Sequence, residues 1–331
     1  MSMRRSTRAF FRLGARLATL NNTIVLQTGG TVRLGTFRTE HGRARFIAAY
    51  EAAMAELETP DRVADVPTSF GCVRSYTWHG DDTTAPPLVL LPGKTAGAPM
   101  WAENLPGFRE TGRTIIAFDA LGDAGLSVQR VPIRTPADQA LWLDEAITAL
   151  GHDLVHTVGH SFGGATAANH AVRHPQRLAS LTLLEPVFTF GWPPPSLFGW
   201  AALATLPVPQ RWREHALASI GGVSPEEVRT AGPTGTLIAV ASETFVSRLP
   251  TPRPLTTAQM QMLRMPAYVA IAGSHSLAGG TPAATRAEAR LPNAAVEIWP
   301  DTTHSLPMQV REPLSARLRS FWSTADATAP V

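Results

Sequence analysis

The sequence has one cysteine, Cys72, in 331 residues, which excludes an internal disulfide framework and any cysteine-based metal cluster. It has one lysine, Lys94, against 28 arginines. That skew fits a GC-rich coding sequence better than a selected function, because arginine codons are GC-rich and lysine codons are not. No run approaches 18 consecutive apolar residues, so no transmembrane helix is expected. No internal repeat is present. What remains is an ordinary globular composition, 44% apolar and 17% charged, far from that of disordered chains. The length suits one large α/β domain or two average ones.

The net charge of +3 is unevenly spread. Residues 1–45 hold nine arginines and one acid, so the other 286 residues carry −5. The basic pI therefore belongs to an N-terminal arm, 1–43, and a nucleic-acid partner for the mildly acidic body loses its support. In the arm, Arg8, Arg12 and Arg16 recur every four residues and Phe10, Leu13, Leu17 and Leu20 cluster on one side, which predicts a basic amphipathic helix. Membrane-surface contact or targeting is one reading of it; a partly ordered extension, or a start codon set too early, is the favoured one. Arg12 and Arg16 interrupt any secretory apolar region, and a cytoplasmic location is expected.

From Ala44 to Leu57 a helical pattern appears, followed by a loop around Pro60 and Pro67. Candidate strands follow at Phe70–Trp78, Pro87–Leu91, Thr114–Asp119, Leu154–Gly159, Leu178–Leu184, Ala267–Ala272 and Ala295–Trp299. Several are continuous apolar runs, as for parallel strands buried on both faces. Helical patterns lie between them at Pro136–Leu150, Phe162–Arg173 and Pro282–Leu291, with a last one at Met308–Trp322. This alternation predicts a doubly wound, mostly parallel sheet with right-handed crossovers. The roughly 80 residues between Leu184 and Ala267 hold no strand pattern, only short helical stretches broken by Pro and Gly. That is too long for a loop, and predicts a helical cap, 187–265, inserted into a core of 44–186 and 266–325.

One motif carries chemistry. Gly159-His160-Ser161-Phe162-Gly163 is G-x-S-x-G between an apolar strand and a helix. A serine on such a sharp turn needs glycines at both flanks for the backbone to pass, and its hydroxyl is raised above the sheet. Ser161 is the expected nucleophile. A hydroxyl needs a base, and His304 is favoured, in the loop after the last strand and so at the same sheet edge. His41, His79, His152, His156, His170, His174 and His215 are read as ordinary loop or core residues. The oxyanion of attack needs backbone donors, expected from the N–H groups of Phe162 and Lys94. For the acid that orients the base, Glu185, ending the strand LTLL, is preferred over Asp301, which is too near His304 in sequence. Trp192, Trp200 and Met262, with Phe198, Leu203, Leu206, Met260 and Met265, are expected to line an apolar substrate wall.

With LLPGKTAGAPMW, DALGDAGLS, GHSFGG, LLEP and PDTTHSLPMQVREP in this order, the sequence resembles the α/β-hydrolase superfamily from about Ala44 to Trp322, most of all bacterial carboxylesterase-like members. The resemblance implies ester cleavage through a Ser-His-Glu triad and an acyl-enzyme, with a small-molecule ester as partner and no cofactor. Two departures stand out. The usual His-Gly of the oxyanion loop is Pro92-Gly93, and the turn 273–278, the usual place for the acid, holds no carboxylate; some members place the acid where Glu185 stands. Asp119 and Asp123 match a segment that serves loop structure. C–C bond hydrolysis, acyl transfer, or ligand binding without catalysis on the same scaffold are the alternatives.

Overall fold

The computed structural model describes residues 23–25 and 31–327; the helix expected around Phe10–Leu20 lies outside them. Thr23–Val25 and Thr31–Arg33 pair antiparallel as a small unit of their own. From Leu34 onward the chain builds a separate two-stranded pair and one large sheet. Its main strands are β1 (Arg62–Thr68), β2 (Gly71–Trp78), β3 (Leu88–Leu91), β4 (Ile115–Phe118), β5 (Val155–His160), β6 (Leu178–Leu184), β7 (Ala267–Ala272) and β8 (Ala294–Trp299), and Val128–Gln129 pairs with β2. The order is β8-β7-β6-β5-β3-β4-β2-β1. All neighbours are parallel from β8 through β4, whereas β2 runs antiparallel to both β4 and β1.

The helices are α1 (Glu40–Met54), α2 (Leu105–Arg109), α3 (Pro136–Ala149), α4 (Phe162–Arg173), α5 (Ser196–Thr205), α6 (Gln210–Gly221), α7 (Pro225–Thr230), α8 (Gly232–Thr244), α9 (Thr257–Met262), α10 (Gly280–Arg290), α11 (Leu306–Gln309) and α12 (Arg311–Ala327). They cover both sheet faces. Val89, Leu91, Ile116 and Phe118 pack toward α3, α4 and α10, while Leu88, Leu90, Ile115 and Ala117 pack toward α1, α2 and α12. Alternate side chains of one strand therefore enter opposite cores, which is why these strands read as unbroken apolar runs.

Four local features differ from the sequence reading. The region around Pro67 is strand, not loop: β1 is an edge strand, where a residue without an N–H costs no ladder bond on its open side. The helix read from Ala44 starts at Glu40, because the Thr39 hydroxyl caps the Gly42 N–H at 2.9 Å. The last helical pattern is split at Val310 into α11 and α12. Between β6 and β7, beside the five helices α5–α9, Phe245–Val246 pairs antiparallel with Thr36–Phe37. No helix among the described residues is long and apolar enough to cross a membrane.

At the edge of the sheet where β5 and β6 begin, fully buried His156 pins the C-terminal helix. Its Nδ1 meets Ser180 Oγ at 2.8 Å and its Nε2 meets Asp326 Oδ1 at 3.0 Å. Burial, helped by the Arg113 charge, pushes its pKa down to about 4. His160, at the far end of β5, is pushed by burial to about 3. Both stay neutral when folded and take up protons first when unfolded. Their stabilisation is thus full above the free-imidazole range and is lost as pH falls from about 6.5 toward 4. The thermal midpoint is therefore expected to be lower at pH 4 than at pH 7; a flat melting profile across that range would contradict it.

Candidate active site

Five non-glycine residues among those described have φ in the left-handed region: Thr95 (63°), Ser161 (55°), Glu185 (46°), Phe188 (58°) and Asp301 (57°). They lie on the loops after β3, β5, β6 and β8, at the sheet edge formed by the strand C-termini. Strain of this kind costs on the order of 1–3 kcal/mol per residue and persists where the surroundings fix it. Here it gathers where the sequence motifs converge.

Ser161 stands between β5 and α4 with φ 55° and ψ −119°. The turn is possible because its flanking glycines let chains cross. A Cβ on Gly163 would lie 2.3 Å from the Leu91 carbonyl oxygen and 2.5 Å from that of Pro92; one on Gly159 would lie 2.5 Å from the Gly163 carbonyl oxygen. These obstacles are backbone and cannot step aside. Gly163→Ala is expected to cost upwards of about 4 kcal/mol, read as loss of soluble protein or a collapsed melting temperature; an unchanged melting temperature would refute it.

The loop after β8 brings His304 to this serine. His304 Nε2 lies 2.9 Å from Ser161 Oγ, and its Nδ1 lies 3.1 Å from Glu185 Oε2. Ser161, His304 and Glu185 are all buried. Glu185 follows β6 and is held by four further donors: the Ala272 N–H at 2.7 Å, the Ser276 hydroxyl at 2.7 Å, and the Leu277 and Ala278 N–H groups at 3.0 and 3.3 Å. The turn 273–278, empty of carboxylates, therefore supplies donors to a carboxylate from the neighbouring strand. Burial alone would raise the Glu185 pKa, but the bonds from His304, Ala272 and Ser276 outweigh it and leave it below the ordinary value. With the carboxylate ionised, His304 is oriented with Nδ1–H toward Glu185 and an Nε2 lone pair toward the serine hydroxyl.

Neighbouring elements hold the imidazole loop. His160 Nε2 lies 3.0 Å from the His304 carbonyl, which takes its N–H. Thr303 Oγ1 donates to the Gly221 carbonyl at 2.8 Å, so the end of α6 braces the loop from the other side. Sequence reasoning assigned no role to His160 or Ser276. The first was legible only as the variable position of the motif, and the second lies in the turn searched for an acid.

Phe162 opens α4, so its N–H is one of those a helix start leaves without an intrahelical acceptor. Lys94 is in the loop after β3, its side chain exposed and its Nζ 5.3 Å from the Phe162 ring centroid. Both line a cleft of about 110 Å³ with Leu91, Pro92, Asp123, Trp142 and Leu249 among its walls. Of the expected substrate-wall residues, Trp192 lies on a second cleft, beside Ser274 and Ser276, and packs edge-on against Phe188, whose ring meets Phe162. Trp200 packs against His215 of α6 instead. Met262 is 53% exposed at the end of α9, because Met260, two residues earlier on this short helix, is the one turned into the core. Neither lines either cleft. Met265 is likewise part of the core.

The sheet order, the strand-turn-helix around Ser161 and the loop positions of His304 and Glu185 together define an α/β hydrolase by fold. A family model described as alpha/beta hydrolase fold matches residues 86–224. Among the proteins it is similar to in sequence are bacterial carboxylesterases. It is 29% identical over 161 residues to the carboxylesterase YbfK of Bacillus subtilis, covering 49% of this chain and 53% of that protein. It is 34% identical over 125 residues to the uncharacterized carboxylesterase nap of the same organism, covering 38% of this chain and 41% of that one. These alignments span about half the length of those relatives. In structure, carboxylesterase CesB (YbfK) superposes with a TM-score of 0.76 at 23% identity, over 86% of this chain and 98% of that chain. Naproxen esterase of Bacillus subtilis gives 0.75 at 22%, over 85% and 98%.

Proposed function

We propose that the chain is a serine hydrolase that cleaves a carboxylic ester, with Ser161 as nucleophile, His304 as general base and acid, and Glu185 as the acid that orients it. The observation carrying this reading is the continuous hydrogen-bonded line from Glu185 through His304 to Ser161, at 3.1 and 2.9 Å. The carboxylesterase relatives support it.

In this reading Ser161 Oγ attacks the ester carbonyl carbon as His304 Nε2 takes its proton. The positive imidazolium is stabilised by the Glu185 carboxylate, and the oxyanion by the N–H groups of Phe162 and Lys94. Collapse returns the proton from Nε2 to the leaving alcohol and leaves an acyl group on Ser161. Water, deprotonated by His304 in turn, releases the acid. No step calls for a metal or organic cofactor. Residues 187–265 act as a cap over a core of 44–186 and 266–325, and the brace from α6 to the His304 loop couples the cap to the base.

The test is hydrolysis of p-nitrophenyl esters from acetate to laurate. Saturable turnover is expected, with an optimum among the short acyl chains that the small cleft admits. A folded protein that turns over none of them would overturn the reading.

A further inference from the structure

The cleft beside Phe162 and Lys94 contains a polar group that this mechanism does not use. Asp123, in the loop after β4, is 8% exposed and lines the cleft. Its two carboxylate oxygens differ. Oδ2 accepts the Thr95 N–H at 2.7 Å and so fixes the residue that follows Lys94. Oδ1 has no hydrogen bond of good geometry among the described residues, the neighbouring Ala124 N–H being the one further backbone donor that acts on the carboxylate. A buried carboxylate oxygen without a donor carries an uncompensated desolvation cost, and such groups are few.

Several polar neighbours around the cleft are engaged elsewhere. Thr166 donates to the Phe162 carbonyl at 3.1 Å, Ser247 to the Gly122 carbonyl at 3.2 Å, and Asn169 to the Ala165 carbonyl at 2.9 Å; Gln139 accepts the Trp142 indole N–H at 2.9 Å. The other walls include Leu91, Pro92 and Leu249, whose side chains carry no donor, and Trp142, whose indole N–H is taken by Gln139. Oδ1 is a strong acceptor in a small, largely apolar space next to the residues proposed to hold the oxyanion.

We propose that this cleft is the acyl subsite, and that Asp123 Oδ1 accepts a hydrogen bond from a hydroxyl group on a short acyl chain; this rests on the ester-hydrolase reading above. Two observations fix the class. The volume of about 110 Å³ is several times the roughly 10–15 Å³ that admits one water but well below the ~300 Å³ of a drug-sized pocket. Lys94 at the same cleft already supplies a positive charge that acts on Asp123, so a neutral donor suits the site better than a second cation.

The experiment compares kcat/KM of the full-length protein on p-nitrophenyl butanoates substituted at carbon 2 or carbon 3 with hydroxyl, methoxy, methyl or ammonium. Methoxy matches the electronic pull of the hydroxyl, and methyl its size. At one of the two positions the hydroxy ester is expected to exceed the methoxy and methyl esters by about 10- to 100-fold, and to exceed the ammonium ester. In Asp123→Asn the cleft oxygen becomes an amide that a methoxy oxygen can also satisfy, so the hydroxy-to-methoxy ratio is expected to fall toward one, whatever happens to absolute rates. No hydroxyl preference at either position, or a preference that survives Asp123→Asn, overturns the subsite while Ser161-dependent hydrolysis of plain butanoate leaves the esterase reading intact. A preference for the ammonium ester overturns the hydroxyl assignment. Hydrolysis of no ester, or equal hydrolysis by Ser161→Ala, overturns both.

Discussion

Ser161→Ala is expected to lower kcat on any ester the wild type accepts by about four to six orders of magnitude while leaving substrate binding and melting temperature nearly unchanged. The size follows from removing the atom proposed to form the covalent bond. His304 would remain, 2.9 Å from where Oγ stood, and could at best activate a water in the nucleophile's place. Residual catalysis by the oxyanion donors accounts for the rate left above background. The stability forecast is independent. Ser161 is buried and its Oγ bonds only to His304 among the described residues, and alanine tolerates the same turn at a modest added strain. Measured by steady-state kinetics with thermal melting alongside, a fall of less than tenfold would remove Ser161 from the mechanism.

Glu185→Gln should cost about 10³–10⁴ in kcat for a reason specific to this site. The carboxylate accepts five hydrogen bonds, from His304, Ala272, Ser276, Leu277 and Ala278. Glutamine offers one accepting oxygen; its NH₂ must stand either at the Oε2 position, facing His304 and the N–H groups of Leu277 and Ala278, or at the Oε1 position, facing the Ala272 N–H and the Ser276 hydroxyl. At the first it favours the His304 tautomer with its proton on Nε2, which cannot act as base, and opposes the Leu277 and Ala278 donors; at the second it sets donor against donor at the Ala272 N–H and leaves His304 a neutral oxygen that stabilises the imidazolium less. Some loss of thermal stability is expected in either arrangement, because donors lose their acceptor. The kinetic effect is therefore to be read at a temperature where circular dichroism shows the variant folded. Turnover within tenfold of wild type there would exclude Glu185 as the acid and return attention to Asp301.

The sequence carried most of the sheet because parallel strands buried on both faces leave apolar runs such as LVLL and LTLL, and the bounds of β6 and β7 could be read directly from them. It did not carry β1, since an edge strand exposed on one side and containing Pro67 looks like a loop. Ser161 and His304 were legible from local context: one from glycine spacing at a strand-to-helix turn, the other from its position after the last strand. Glu185 required a judgement about which strand end reaches the histidine, and the donors from 272–278 that hold it belong to tertiary structure. The substrate wall was least legible. Apolar residues of the segment 187–265 serve both packing and surface, and only helix phase separates buried Met260 from exposed Met262.

The pairing of Thr36–Phe37 with Phe245–Val246 bears on how the molecule is made. Arg38 adds bonds from its guanidinium to the carbonyls of Thr205 and Glu243, partners 167 and 205 residues away. During synthesis at about 5–20 residues per second, the first strand of this pair waits roughly 10–40 s for the second to leave the ribosome. The nucleophile turn and its strand are complete well before then, whereas the clasp between the opening residues and the segment preceding α9 closes late. The strands β1 to β6 thus have time to pair first, and the clasp closes before β7 and β8 leave the ribosome to complete the sheet.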